Sequence, residues 1–138
     1  MDKKKVIDQL NKAIELELTG AMWYLASSFN VFGFTRPVIV GFLREQATES
    51  IGHATKLGEK VVDLGGTPVV KVAEKKPTKG SVKKILEESL AHEQRAVDHY
   101  ASMVSLVADD VVMDAFVREF VVEESEHVAG VAKMLKEM

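Results

Sequence analysis

Residues 42–53, FLREQATESIGH, and residues 116–127, FVREFVVEESEH, spell one pattern twice at an offset of 74 positions. The alignment pairs Phe42 with Phe116, Arg44 with Arg118, Glu45 with Glu119, Glu49 with Glu123 and His53 with His127. A second echo lies upstream of each copy. Glu17 and Tyr24 are seven residues apart and followed by Leu-Ala-Ser; Glu93 and Tyr100 are seven apart and followed by Ala-Ser. A chain that repeats a two-helix unit reads as two helix hairpins related by a pseudo-two-fold axis.

The punctuation between these segments fits that reading. GFTRP (33–37) is the first break, with Pro37 suited to the first turn of a new helix. LGGTP (64–68) is the second, KPTKGS (76–81) closes a basic crossover, and Ser81 has the character of an N-cap. Asp109-Asp110 alone separates the last two helices. Helices are therefore expected over 3–31, 37–64, 81–107 and 110–136. About 27 residues at ~1.5 Å each make rods of ~40 Å, the length of a bundle. The first carries an apolar seam through Ile7, Leu10, Ile14, Glu17, Ala21, Tyr24, Ser28 and Val31, in steps of three and four. The third repeats it through Leu86, Ser89, Glu93, Ala96, Tyr100, Met103 and Val107. A crossover of about seventeen residues between helices 2 and 3 can run the bundle's length. The expected fold is all-α: one four-helix-bundle domain over 1–138, up-down-down-up, with one long crossover.

Composition narrows the function classes. An apolar fraction of 46% argues against disorder. No run of 18 apolar residues exists and no signal-peptide core follows MDKKKVIDQL, so a cytoplasmic protein without membrane contact is expected. The absence of cysteine removes disulfides, thiolate metal sites, iron–sulfur clusters and cysteine nucleophiles. A formal charge of −3 speaks against nucleic acid as a partner. The six lysines of residues 71–84, opposed only by Glu74, read as a solvated segment on an otherwise acidic body. No phosphate-binding glycine loop and no nucleophile triad is present.

The chemistry sits on the seams. An ionised carboxylate on an apolar seam costs several kcal/mol unless it is paired or bound to a metal, and Glu17 and Glu93 occupy such positions. The second helix brings His53 with Glu49 one turn before it; the fourth brings His127 with Glu123 and Glu124 four and three residues before it. Residues so spaced share a helix face. Four helices thus direct carboxylates and two imidazoles inward at one height, with no cationic side chain on those seams to neutralise them. A dinuclear carboxylate–histidine site is the economical reading, and its donors suit iron or manganese, with zinc a chemically acceptable occupant.

One Glu from each of two helices, with Glu-x-x-His from the others, resembles the ferritin-like di-iron carboxylate proteins. The likeness to bacterioferritin and its relatives covers nearly the whole chain: ELTGAMWYL is similar to the first-helix ferroxidase segment, HATKLGEKVVDLGGTP to the end of helix 2, and LAHEQRA and EESEH to the ligand segments of helices 3 and 4. The resemblance implies Glu17, His53, Glu93, Glu124 and His127 as metal ligands and Tyr24 as the tyrosine beside them. Rubrerythrins share the Glu-x6-Tyr spacing that both hairpins show, which adds Tyr100. One departure stands out: the family's helix-2 glutamate would fall at Ser50. Glu49 is the expected replacement, brought inward by a slight rotation or a π-bulge, with Glu123 as an additional ligand. The haem-ligating methionine of bacterioferritin would fall at Ile51, so no haem is expected.

The resemblance implies an iron-binding protein that oxidises Fe(II) with O2 or H2O2 at a two-iron centre, for storage or detoxification. Tyr24 and Tyr100 are the candidate catalytic residues, as hydrogen-bond partners of the ligands or electron donors. Two alternatives remain: a rubrerythrin-like di-iron or di-manganese peroxidase without storage, and a non-enzymatic bundle with a degenerate site. A homo-oligomer is implied, from a dimer up to a 12- or 24-subunit cage; lacking the short fifth helix of the 24-subunit ferritins, the chain fits the smaller assemblies at least as well. His92 and His99 lie off the seam and are expected at the surface or a subunit contact, and Trp23 against a partner subunit. Met22, Met103, Met113 and Met134 are expected to fill gaps in the core or an interface.

Overall fold

Three of the four helices begin at a side chain that caps them. Asp2 accepts the backbone N–H of Lys5 at 3.2 Å, Ser81 that of Lys84 at 3.2 Å and Asp110 that of Met113 at 2.9 Å, each satisfying a donor that the first turn leaves free. The remaining start carries Pro37 in its first turn instead. The computed structural model describes all 138 residues as α1 (Lys3–Ser28), α2 (Arg36–Asp63), α3 (Val82–Met103) and α4 (Val111–Leu135), with a 3-10 turn at Val104–Leu106. No strand is present. Helix α2 stops at a glycine cap. Gly65 takes φ +85°, and the N–H groups of Gly65 and Gly66 bond the carbonyls of Val62 and Val61, both at 2.9 Å.

Two boundaries are shorter than the sequence suggested. α1 ends at Ser28, not at 31, where the chain is tied to the crossover: Ser27 Oγ in the last turn accepts from Thr78 N at 3.0 Å, and Asn30 Nδ2 just beyond it donates to Thr78 O at 3.2 Å. α3 tightens into the 3-10 turn after Met103.

The crossover is strapped to α1 along its length. Asn11 holds Thr67 O and Val69 N, Thr19 holds Ala73 N, and Ser27 holds Thr78 N. It therefore leaves the bundle end where α1 begins and reaches the end where α1 stops. This fixes the up-down-down-up order, with α1 against α2 and α3 against α4.

The strap also overturns two expectations. Trp23 does not face a partner: it is buried under the crossover, donating Nε1–H to Thr78 Oγ1 at 3.2 Å, with the Lys75 ammonium 4.9 Å above its ring. Lys75 is half-buried and paired with Glu88 at 3.0 Å, while the other five lysines of the segment are exposed. His92 is likewise buried, not at the surface. Its ring fills the space that Gly20 leaves, where a Cβ would collide with it, and meets Tyr24 edge-on at 6.2 Å. His99 is partly buried, its Nε2 3.0 Å from Gln9 O.

The core falls into two apolar clusters. One gathers Val6, Leu10 and Ile14 with Leu57, Val61, Met103, Val107, Met113 and Phe120. The other gathers Ala21, Trp23, Val31, Ile39, Val40, Leu43 and Ile85. Met103 and Met113 are core residues, Met134 is half-buried and Met22 is exposed. Along α1, α2 and α3 the buried polar side chains Glu17, Ser50, His53, Ser89 and Glu93 lie between the two clusters.

Candidate metal centre

Glu17 on α1, His53 on α2, Glu93 on α3 and Glu124 on α4 are each at most 4% exposed. Their seam positions turn them inward, one helix at a time. His127 joins them from α4, one turn beyond Glu124, with a half-buried ring.

Two three-residue groups share one carboxyl. His53 Nδ1 lies 3.4 Å from Glu17 Oε1 and 3.1 Å from Glu124 Oε1. His127 Nδ1 lies 3.5 Å from Glu93 Oε2 and 3.3 Å from Glu124 Oε2. Glu124 thus turns one oxygen to each group. Within each group the donor atoms lie no more than 4.8 Å from one another, the spacing of ligands around one ion. Both tyrosines reach the carboxylates that flank Glu124: Tyr24 Oη donates to Glu93 Oε1 at 2.5 Å and contacts Ser89 Oγ at 2.7 Å, while Tyr100 Oη donates to Glu17 Oε1 at 2.8 Å.

Ser50 is buried in α2, whose α-helical geometry is unbroken by a π-bulge. Glu49 reaches the centre all the same, from the solvent side. Its Oε1 is 2.9 Å from His127 Nε2 and 3.8 Å from His53 Nε2. Glu123 Oε2 lies 2.9 Å from His53 Nε2. Glu49, His53 and Glu123 form a third group with ligand-like spacing.

The electrostatics are those of a site held together by protons. Burial alone would lower the pKa of His53, but Glu124 and Glu17 overcome it and raise it to about 10. For His127 burial is likewise overcome, by Glu124 and Glu93, and the pKa rises to about 11. Burial drives Glu124 upward, with Glu93 and Glu17 adding to the rise against the two histidines. Glu93 goes the other way: burial opposes its ionisation, yet hydrogen bonds from His127, Glu124 and Tyr24 pull it below the usual carboxylate range. Burial and the adjacent carboxylates keep both tyrosines protonated as donors. Three carboxyl groups and two imidazole nitrogens aimed at two points form a donor set suited to divalent first-row metals.

Sequence reasoning did not single out Ser89 or the burial of His92, and gave Glu123 only a ligand's part. The signal for Ser89 was its place on the third helix's seam; for His92 it was Gly20, one turn from Glu17 on the facing helix.

Comparison with known proteins places the fold in a family. The model of the ferritin-like domain family matches residues 7–138. A bacterioferritin from Desulfovibrio desulfuricans is 24% identical across 91% of this chain and 72% of its own length. A ferritin-like, diiron-carboxylate protein from Bacillus anthracis superposes with a TM-score of 0.90 at 24% identity, covering 99% of both chains. The dodecameric thioferritin of Bacteroides fragilis, a bacterioferritin-related protein, does so with 0.90 at 24% identity, covering 99% of this chain and 88% of its own. Glu17, His53, Glu93, Glu124 and His127 all fall within the family match, and the chain belongs to the ferritin-like family.

Proposed function

We propose that the chain binds two Fe(II) ions at this centre and oxidises them, with O2 or H2O2 as oxidant, for iron storage or detoxification. The observation that carries this is Glu124, which presents one oxygen to each histidine-bearing group. Glu17 and His53 complete one position, Glu93 and His127 the other. Manganese and zinc satisfy the same donors. Glu49 acts on the centre from its solvent side.

The stoichiometry is simple. Two Fe(II) and one H2O2 take up two protons and give two Fe(III) and two waters; with O2, the same electrons and protons give H2O2. The chain's part is to supply oxygen donors that neutralise the rising metal charge. Tyr24 and Tyr100 each occupy a lone pair on a terminal carboxylate, which orients it for its ion. The dodecameric relative and the exposed Phe32, Phe34 and Val38 beside the α1–α2 turn support a homo-oligomer.

Anaerobic Fe(II) titration followed by oxidant tests the reading. Saturation is expected at about two irons per chain, and at far more on repeated addition if a storage cage forms. Glu124→Ala should abolish paired binding. Unchanged iron uptake and oxidation in that variant would refute the proposal.

A further inference from the structure

The two hairpins cross over at their histidines. Glu49 belongs to α2 but approaches the histidine of α4, at 2.9 Å from His127 Nε2. Glu123 belongs to α4 but approaches the histidine of α2, at 2.9 Å from His53 Nε2. The offset of 74 residues relates Glu49 to Glu123 and His53 to His127, so this is one contact made twice across the pseudo-two-fold. Both rings put Nδ1 toward the shared Glu124 and Nε2 toward these outer carboxylates. The rings lie nearly parallel, 12° apart with centroids at 6.3 Å, and Phe120 abuts His53 edge-on at 5.1 Å.

An imidazole that offers one nitrogen to a metal carries a proton on the other, and the carboxylate receiving that proton sets the ring's tautomer and direction. We infer that Glu49 and Glu123 are reciprocal positioning residues, each fixing the histidine of the opposite hairpin so that its Nδ1 is aimed at the metal position. This rests on the metal centre proposed above. It assigns Glu49 a different part from a substitute for the carboxylate missing at Ser50. Its oxygen stands at the far nitrogen of each ring, whereas a substitute would stand among Glu17, Glu93 and Glu124.

Titration with Zn(II), which is redox-silent, separates the readings in the full-length protein. Wild type should take two equivalents. Glu49→Ala and Glu123→Ala should each still take two, with one weakened about 10- to 100-fold. Glu49→Gln and Glu123→Gln keep an oxygen that accepts the Nε2–H, so they should recover most of the loss. The effect should also be crossed. Anomalous scattering at sub-saturating zinc should show Glu49→Ala emptying the position beside His127 and Glu123→Ala the position beside His53. Loss of a whole equivalent would make these residues ligands and overturn the inference. An effect confined to the residue's own hairpin, or no effect, would overturn it as well. If wild type itself binds no zinc, the proposed centre falls and this inference with it; two equivalents with uncrossed effects would sink the inference alone.

Discussion

Loading this centre with metal at pH 7 should expel between about two and three protons per chain. The perturbation is the addition of Zn(II) to the metal-free protein. His53 and His127 have their pKa values raised to about 10 and about 11, so at pH 7 both are imidazolium and each must release its Nδ1 proton to solvent before that nitrogen can bind a metal. Burial and the neighbouring carboxylates keep a further proton on Glu124, and that proton too must leave if both oxygens are to bind. Tyr24 and Tyr100 contribute none, because their hydroxyls donate outward to Glu93 and Glu17. Apparent affinity should therefore rise by about two to three powers of ten per pH unit near neutrality, and the slope should flatten above pH 10, where the imidazoles deprotonate unaided. Calorimetric titration in two buffers of different ionisation enthalpy measures the count directly. Two zinc ions bound with less than about one proton released would show the metal-free histidines to be neutral, and the electrostatic account would fail.

The same protons predict how the metal-free fold responds to pH. Both histidines have folded-state pKa values above the unfolded value of 6.5. Their contribution is complete below about 6.5 and lost as pH rises through 10 and 11, and the upward shift of Glu124 acts in the same direction; thermal melts should show Tm falling across that window, and a flat profile would refute it. Gly20→Ala should cost about 1–3 kcal/mol, because the new methyl displaces the buried ring of His92; an unchanged melting curve would show that the ring moves freely. Ser50→Glu places a carboxylate at a site only 8% exposed, which should cost the metal-free protein about 1–3 kcal/mol. Zinc should more than restore it, and a Tm deficit that persists with zinc would show that position 50 does not face the centre.

The helices were legible because their signals are local and redundant. The seams of α1 and α3 repeat every three to four residues; of the fourteen positions other than Ile7, all are buried. Ser81 caps where a cap was expected. The convergence of Glu17, His53, Glu93, Glu124 and His127 was legible for the same reason, since each lies on a seam at a matching height. What the sequence did not disclose depends on the crossover, whose path no periodicity encodes. Trp23 is buried, and Lys75 half-buried, by the path of a strap whose backbone Asn11, Thr19 and Ser27 capture. His92 misled because it is off the seam: it is covered by the gap at Gly20, which a hydrophobic pattern does not register. The partners of Glu49 were hidden for a different reason. Helical spacing places it beside its own His53, and only the packing of α2 near α4 turns it toward His127.

That packing bears on how the centre does without a carboxylate at Ser50. In the metal-free state, two imidazoliums and the proton on Glu124 offset the buried acids, so protons hold the places that metal ions would take. Were two divalent ions to replace those protons, three inner carboxylates would leave one positive charge uncompensated in a low-dielectric layer, where such a charge is expensive. A fourth inner carboxylate would cancel it; Ser50 cannot. Glu49 and Glu123 stand one imidazole ring away from the two metal positions, joined to them through the Nε2 atoms of His127 and His53. Drawing the remaining ring proton toward a carboxylate makes each imidazole a stronger donor, and so passes negative charge inward to the metal. On this inference the two outer glutamates would supply from the rim what position 50 lacks inside. Because they are partly exposed, they do so without the desolvation that a fourth buried carboxylate would impose on the metal-free fold.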